Sequence, residues 1–434
     1  MRKQVEKAGR KCVLRWGKVT LTLLTGAVIG LSACSQSVST SGEKSVTILG
    51  QFSPEETARF EESLLPFEEE TGIDVVYESA DNFTSLLKMR ISSFNAPDLA
   101  VLPQPGLMAD LARADLLVPL TDVMDTQALR ASYSDDWQAL GSVDGALYGL
   151  WYRVSVKSLV WYRPTAFEAK GYDIPQTWGE LSALSKEIVA DGGTPWCIGL
   201  ESGAASGWPG TDWVEDILLR SSGPESYSQW ISHELPFNSP PVIDAFNQFG
   251  QVLRNPKYVE GGAAKAVATP YGEAATGILS NPPDCYLHRQ ANFASSYFPE
   301  DKRPRVDYDV FPLPGIKEEF GTPILVAGDA IVLLNETPEA IALINYLATP
   351  EPHEIWASLG GFISPHQQVP ISTYSDLVDQ NIAQILIDAE TIRFDASDMM
   401  PGAVGTGSFW TGMMEFAKGR PAEAVAKDID ETWP

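Results

Sequence analysis

Two short segments of this 434-residue chain place tryptophan rings and carboxylates close together. In the first, Trp208 and Trp213 flank a Pro-Gly-Thr-Asp run that ends at Asp212, and in the second, Asp395 and Asp398 occur within Phe-Asp-Ala-Ser-Asp. Aromatic rings can cover an apolar ligand face, while carboxylates accept hydrogen bonds from hydroxyl groups. Core packing of the rings and turn capping by the aspartates would explain the same residues without a ligand.

Familiar catalytic and metal-binding signatures are absent from the sequence. It contains no Gly-x-Ser-x-Gly, no P-loop and no dinucleotide fingerprint. The histidines at 233, 288, 353 and 366 lack metal-ligand spacing, and we interpret His288 as a hydrogen-bonded structural residue. We therefore expect no catalytic residue, no cofactor and no metal.

The elements that position these residues begin in an alternating α/β pattern. Strands are predicted at 46–49, 73–78 and 97–102, with helices after a Ser-Pro-Glu-Glu capping box at 53–56 and at 83–94. Such alternation predicts a mostly parallel sheet, in which the loops after the strands line a ligand crevice. Those loops contain Gln51, Asp81 and Gln104.

A second unit is expected to begin near residue 161. Thr177 and Glu180 have the spacing of another capping box, and they precede a helix with a buried apolar stripe. The roughly 390 residues that follow the N-terminal leader exceed one ordinary hydrophobic core, so the chain should form two domains.

The N-terminal leader resembles an export signal. Residues 1–18 carry seven Lys or Arg against one Glu, and an apolar run then ends in Leu-Ser-Ala before Cys34. The run is too short to span a bilayer, and the ending resembles a lipobox, in which the cysteine is lipidated. We predict a lipoprotein signal peptide at 1–33 and a flexible tether at 34–44. An uncleaved N-terminal anchor is the alternative.

Charge narrows the range of partners. Without residues 1–33 the chain has 24 basic against 56 acidic side chains, a net charge of about −32. Such a negative charge excludes nucleic acid as a partner, because binding to its phosphates depends on Lys and Arg. We expect a neutral or cationic ligand.

Cysteine usage agrees with export. Apart from Cys12 in the leader and Cys34, the chain has only Cys197 and Cys285. An even pair in an oxidising compartment predicts one disulfide, with two buried thiols as the alternative.

An ordered series of motifs resembles one protein family. It comprises LYGLWYRVSVKSLVWY at 147–162, PQTWGEL at 175–181, AGDA at 327–330, TPEP at 349–352, WASLGGFISP at 356–365 and GSFW at 407–410. Together these runs resemble the extracellular solute-binding proteins of carbohydrate ABC importers, over nearly all of residues 45–434. The narrower runs SGWPGTDW, DCYLHRQ and RFDASDMMP, at 206–213, 284–290 and 393–401, resemble the branch that binds α-glucosides and glucosylglycerol.

The resemblance implies an α/β, two-lobe periplasmic-binding-protein fold with three interlobe hinge crossings, near 155–160, 303–312 and 362–368. Lobe 1 would combine 42–156 with 308–362, and lobe 2 would combine 157–307 with 363–434. A neutral sugar would bind between the lobes, and hinge closure would present a surface to the membrane permease. The expected partners are this sugar, the permease subunits and, through a lipid anchor, the membrane, and the chain should be a monomer.

Within that family, aromatic rings stack on the C–H face of a sugar while carboxylates, amides and arginine bind its hydroxyl rim. The resemblance and the positions of the loops together give the predicted ligand-binding residues, which are Gln51, Asp81, Gln104, Trp151, Trp208, Asp212, Trp213, Arg289, Asp329, Phe362, Asp395, Asp398 and Trp410. Each of them has a structural alternative, such as core packing, helix capping or a salt bridge.

Three functions share these features. We expect import of a compact α-glucoside such as glucosylglycerol, sucrose or trehalose. A sugar-binding partner of a membrane sensor would use the same fold. A secreted glycosidase would need an acid and a second carboxylate flanking the scissile bond, a geometry that sequence spacing cannot exclude.

Overall fold

The structure is a computed structural model and describes residues 44–80 and 82–434. The predicted signal peptide, the lipidated Cys34, nearly all of the tether and Asp81 lie outside the described residues.

Most strands of the described chain belong to one six-stranded sheet. The strands are β1 (Lys44–Gly50), β2 (Ile73–Ser79), β3 (Leu99–Leu102), β4 (Ser142–Val143), β5 (Ala146–Leu147), β6 (Gly149–Val156), β7 (Leu159–Tyr162), β8 (Leu287–Arg289), β9 (Asp309–Pro312), β10 (Ile324–Leu333) and β11 (Ile392–Phe394). The large sheet has the order β11-β10-β3-β1-β2, and β6 also pairs with β10. Both neighbours of β1 are parallel to it, as the alternating pattern predicted.

Helices cover the sheets. They are α1 (Pro54–Thr71), α2 (Phe83–Ser92), α3 (Pro105–Arg113), α4 (Thr126–Ser132), α5 (Asp135–Leu140), α6 (Pro164–Lys170), α7 (Trp178–Ala190), α8 (Trp208–Ile231), α9 (Pro240–Leu253), α10 (Gly262–Ala268), α11 (Tyr271–Ala275), α12 (Pro338–Leu347), α13 (Pro350–Leu359), α14 (Leu377–Asp388), α15 (Ala396–Met399), α16 (Trp410–Ala417) and α17 (Ala422–Asp430). None of these helices is both long enough and apolar enough to cross a membrane.

Local capping signals determine where α1 and α7 begin. In α1, the Ser53 hydroxyl accepts from the Glu56 N–H and the Glu56 carboxylate accepts from the Ser53 N–H, so the predicted capping box is present. Thr177 and Glu180 make the same exchange at α7. Gly72 directly follows the last residue of α1 and caps the helix. Its φ of 68° is the left-handed conformation that glycine adopts without strain.

Strand pairing connects segments that were assigned to different lobes. β9 pairs with β7 in a separate antiparallel sheet of order β8-β7-β9, so the chain returns to the large sheet only at β10. Residues 309–312, assigned to lobe 1, thus pair with a strand assigned to lobe 2, and the bounds of the lobes stay predictions. Residues 330–333 of β10 pair with β3 and residues 324–326 pair with β11, so one strand contacts segments assigned to different lobes.

The described residues form two large hydrophobic cores. One packs β1, β6 and β10 against α1, α12 and α13, and the other packs α7, α8 and α9 against α16 and α17. The first core also contains Trp161, Cys197 and Cys285, which were assigned to the second lobe. The predicted disulfide is present between Cys197 and Cys285, whose Cα atoms are 5.5 Å apart.

Candidate functional site

Two basic side chains on one face of the chain organise the candidate site. Arg153 is in β6 and Lys157 directly follows it, and side chains four residues apart along an extended chain point to the same side. Each cation binds two carboxylates from distant segments, which gives two charged clusters on either side of the predicted crossing near residue 155.

The first cluster lies against α1. The Arg153 Nε donates to Asp329 of β10 at 2.7 Å, and its Nη1 donates to Glu56. The guanidinium also lies 4.7 Å from the centre of the Phe52 ring. Glu56 therefore has two roles, because its carboxylate both caps α1 and pairs with Arg153.

The second cluster lies in the other predicted lobe. The Lys157 Nζ donates to Asp212 at 2.9 Å and to Asp395, and it lies 5.2 Å from the centre of the Trp208 ring. The three partners come from two helices, since Trp208 and Asp212 are in the first turns of α8 and Asp395 caps α15. Lys157 thus connects a predicted ring and two predicted carboxylates.

A network of buried ion pairs holds Asp212, one of the two carboxylates that bind Lys157. Arg289 donates to Asp212 at 3.0 Å and to Asp216, one helical turn further along α8. Asp216 also accepts from Arg220 and from the Ser158 hydroxyl. These charged side chains are almost fully buried. Their mutual pairing compensates the cost of removing them from water.

Burial and neighbouring charges move the pKa values of these acids in opposite directions. Burial raises the pKa of Asp212 to about 6, although Lys157 and Arg289 oppose it. Burial acts to raise the pKa of Asp395 as well, but the adjacent Lys157 ammonium holds this pKa below its ordinary value. The pKa of Asp398 is raised well above its ordinary value by burial and then by the Asp395 charge.

A cluster of partly exposed aromatic rings lies next to Lys157. The Trp208 ring packs edge-to-face against Tyr271 at a centroid distance of 4.9 Å and against Phe293 at 6.0 Å. Tyr271 in turn packs against Tyr297, which is 42% exposed, and their hydroxyls are 2.6 Å apart. The arrangement offers ring faces beside polar groups, which suits a ligand with one apolar face.

Trp410 is held near Trp208 by a close backbone approach. Gly207, which precedes α8, has φ of 111°, and a Cβ at this position would lie 2.0 Å from the Trp410 carbonyl oxygen. Trp410 is half-buried, and its indole N–H has no hydrogen-bond partner among the described residues.

Asp398 differs from the other predicted carboxylates. It is partly exposed, and its carboxylate makes no hydrogen bond or ion pair to the described part of the protein. The carbonyl oxygens of Asp398 and Met400 lie 3.2 and 3.0 Å from the Cβ position of Gly106 in α3. Asp398 thus lies where segments of the two predicted lobes meet, with a carboxylate available to a ligand.

The structure does not bring three predicted aromatic residues to this site. Trp151 packs on Phe394, and Trp213 stacks on Phe249 at 5.3 Å inside the second core. Phe362 stacks on Trp356 at 4.8 Å and has no exposed surface. Packing against other apolar side chains leaves these three rings at most 2% exposed, and their role as ligand contacts stays a prediction.

The ion-paired carboxylates and Arg289 are buried as well. Asp212, Asp329, Asp395 and Arg289 are at most 4% exposed and engaged in ion pairs. They hold the cations of the site in position, and direct contact with a ligand stays a prediction for them. Glu215 joins Asp212 and Asp395 in a carboxylate cluster that could hold a metal, but the Lys157 ammonium already supplies the positive charge there.

Two glutamines from the predicted strand-end loops are accessible in the structure. Gln51 is exposed next to the first cluster, and Gln104 is partly exposed at the start of α3. Both remain available to a ligand, and their binding role stays a prediction.

Sequence reasoning missed Arg153, Lys157, Tyr271 and Phe293. Both cations occur in the motif LYGLWYRVSVKSLVWY, where only the surrounding pattern was used. Alternation of basic residues on one face of a strand was the signal that could have identified them. No local pattern marked the two rings, because they meet Trp208 only through tertiary packing.

A candidate site between α/β segments, with aromatic rings next to polar groups that have no partner among the described residues, is typical of a binding protein. The chain belongs to the bacterial extracellular solute-binding protein family, whose sequence profile matches residues 51–354. It therefore functions outside the cytoplasm as a solute-binding component of ABC transport.

Several curated relatives match nearly the whole chain, among them the following two. The osmoprotective compounds-binding protein GgtB of Synechocystis sp. is 49% identical over 420 residues, covering 95% of this chain and 99% of its own. The alpha-glucosides-binding periplasmic protein AglE of Rhizobium meliloti is 42% identical over 399 residues, covering 90% and 87%.

Among solved structures, the bacterial solute receptor AcbH has a TM-score of 0.78 at 20% identity and covers 90% of this chain and 98% of its own. At that identity the likeness concerns the fold alone. The α/β two-lobe fold predicted from the sequence is confirmed.

Proposed function

We propose that this protein captures a neutral α-glucoside-type sugar, glucosylglycerol included, between its two lobes and delivers it to the permease subunits of an ABC importer. The identity to relatives named for osmoprotective compounds and alpha-glucosides supports this ligand class. The observation that carries the proposal is the juxtaposition of the partly exposed Trp208 ring with Lys157 and its two carboxylates. A pyranose needs both a ring for its apolar face and polar groups for its hydroxyls.

In this proposal the exposed residues of the site contact the sugar and the buried ones hold them in position. Trp208 and Trp410 stack on the sugar, and Asp398 accepts from its hydroxyls, because these three are partly exposed. Gln51 and Gln104 contribute amide groups from the facing loops. The ion-paired Asp212, Asp329, Asp395 and Arg289 fix the positions of Arg153 and Lys157, which donate hydrogen bonds at the cleft.

Ligand binding can be tested by calorimetry with glucosylglycerol, sucrose, trehalose and a long maltodextrin. We expect one site per chain for a compact glucoside and recovery of unchanged sugar by chromatography. Hydrolysed sugar in the recovered sample would show that the protein is a glycosidase and would overturn the binding function. Failure of every compact glucoside to bind would remove the proposed ligand class.

We further propose that the chain is lipidated at Cys34 after removal of residues 1–33 and acts as a monomer. The basic leader, the short apolar run and the Leu-Ser-Ala-Cys ending support lipidation. Cys34→Ser should abolish labelling by a radioactive fatty acid and leave unprocessed precursor. Labelling that persists in this variant would overturn the assignment.

A further inference from the structure

An exposed apolar surface lies on the first predicted lobe. Phe94 is 100% exposed, Met89 59% and Val76 47%. Arg90 and Asn95, the chain neighbours of Met89 and Phe94, line one cavity of about 140 Å³ together with Val76. We call Val76, Met89 and Phe94 the α2 face, because Met89 is in α2 and Phe94 directly follows it.

The α2 face lies at the end of the sheet where β1 and β3 begin, which is also where the N-terminal segment joins the fold. Because β1 and β3 are parallel, the loop that enters β3 runs beside the beginning of β1. The Asp98 carboxylate joins the two, accepting from the Thr47 N–H at 2.9 Å and from its hydroxyl at 2.8 Å. Lys44 is exposed and lies about 10 Å from Thr47 along the strand.

The backbone of Phe94 is unfavourable for its residue type. Its φ is 57°, and the Asn95 N–H donates to the Arg90 carbonyl at 2.9 Å to close the turn that ends α2. Glycine is the usual residue at such a helix end, since a side chain there is crowded. The fully exposed ring gains no packing against the described residues that would offset this cost. A contact beyond the described residues would offset it.

One cation beside the α2 face is not ion-paired among the described residues. Helix α2 contains Lys88 and Arg90 and no acid, but Arg90 is paired with Glu78 of β2 at 2.6 Å, which leaves the exposed Lys88. Apolar side chains beside such a cation suit a phospholipid surface, where rings enter the head-group region and the ammonium approaches phosphates. The acidic remainder of the protein is repelled by the same phosphates, which favours this orientation.

We propose that the α2 face rests on the phospholipid bilayer that carries the lipid anchor, an inference that depends on the proposed lipidation of Cys34. The segment between Cys34 and Lys44 spans about 35 Å at most, which keeps this edge of the lobe close to the bilayer. The carboxyl ends of β1 and β3, with Gln51 and Gln104, lie at the opposite end of the sheet. In this resting orientation the candidate site is accessible to solute, and the α2 face leaves the bilayer before the protein engages the permease.

The test uses the full, lipid-modified protein in phosphatidylcholine vesicles with a minor fraction of phosphatidylglycerol. A nitroxide label is attached to Met89→Cys and, as the control at the other end of α2, to the exposed Asn82→Cys. Cys197 and Cys285 are joined in a disulfide, so they do not react with the label. We expect the ratio of oxygen to nickel-chelate collision rates to be several-fold higher at 89 than at 82. Phe94→Gly should lower the ratio at 89 while the protein stays folded.

The outcomes separate this inference from the anchor. Equal ratios at 89 and 82 in protein that floats with the vesicles would overturn the bilayer contact and leave the anchor intact. Protein that does not float would remove both the anchor and the contact. Sugar binding, measured in the same samples, is independent of either result.

Discussion

The backbone of Gly207 packs directly on the main-chain carbonyl of Trp410, so closely that a Cβ at 207 would lie 2.0 Å from the oxygen. This contact joins the start of α8 to the start of α16 and keeps Trp208 near Trp410. Two rings that are far apart in the sequence thereby become parts of one candidate site.

Gly207→Ala should therefore disturb both the fold and the site. The new methyl group collides with Trp410, and a φ of 111° is strained for any residue with a Cβ. We expect a loss of about 1–3 kcal/mol in the free energy of unfolding, together with weaker sugar binding. Urea denaturation and calorimetry measure the two effects. Gly402→Ala is the matched control, since its Cβ meets no atom closer than 3.7 Å.

Tryptophan variants should separate ligand contacts from core packing. Trp208→Ala and Trp410→Ala remove partly exposed rings, so we expect sugar affinity to fall by about 1–2 kcal/mol with little change in stability. Trp213→Ala removes a ring that is 2% exposed and should lower the free energy of unfolding by about 3–5 kcal/mol. Wild-type affinity in both of the first two variants would exclude these rings from the site.

Lys157→Met should leave Asp395 as a buried negative charge without its ion-pair partner and Asp212 with Arg289 alone. We expect a loss of about 3–5 kcal/mol in unfolding free energy, because breaking a buried ion pair exposes the full cost of desolvation. Lys265→Met is the control, since this lysine is 53% exposed in its pair with Glu260 and the change should cost less than about 1 kcal/mol. Similar denaturation midpoints for the two variants would contradict a supporting role for Lys157.

Asp379 in α14 should make stability depend on pH. Its carboxylate accepts from the Gly361 N–H at 3.0 Å, and burial, followed by the Asp376 charge, raises its pKa to about 7. Because this value exceeds the ordinary 3.8, the folded state binds more protons between the two values. The free energy of unfolding then falls as pH rises from about 4 to 7.

Asp379→Asn keeps an acceptor for Gly361 but cannot ionise. Urea denaturation from about pH 5 to about pH 8 should show a smaller decline in stability for this variant than for the wild type. An identical decline in both proteins would assign the pH dependence to other groups. Asp388→Asn, on the same helix but exposed, provides the control.

Much of the fold could be predicted because the relevant interactions are local. The capping boxes at Ser53 and Thr177 form between residues three positions apart, so their sequence spacing is sufficient to locate the two helices. Alternation of strands and helices likewise predicted the parallel pairing of β1 with β2 and β3. The pairing of Cys197 with Cys285 followed from their being the only two cysteines beyond the leader and Cys34.

The site depended on contacts between distant segments. Lys157 meets Asp212 and Asp395 across sequence separations of 55 and 238 residues, and no local pattern reveals such pairs. Composition also could not distinguish Trp208 from Trp213, which are five positions apart on the same helix. One ring faces the candidate cleft and the other packs on Phe249.

The sequence by itself therefore determined the family, the order of the elements and the kinds of residue available for binding. Only the tertiary structure decided which of those residues are free to bind. The physical reason is that capping and strand alternation depend on neighbours in the chain, whereas burial and ion pairing depend on which remote segments pack together. Asp395 and Asp398, three positions apart, show the difference: one is neutralised by Lys157, and the other keeps its carboxylate without a partner among the described residues.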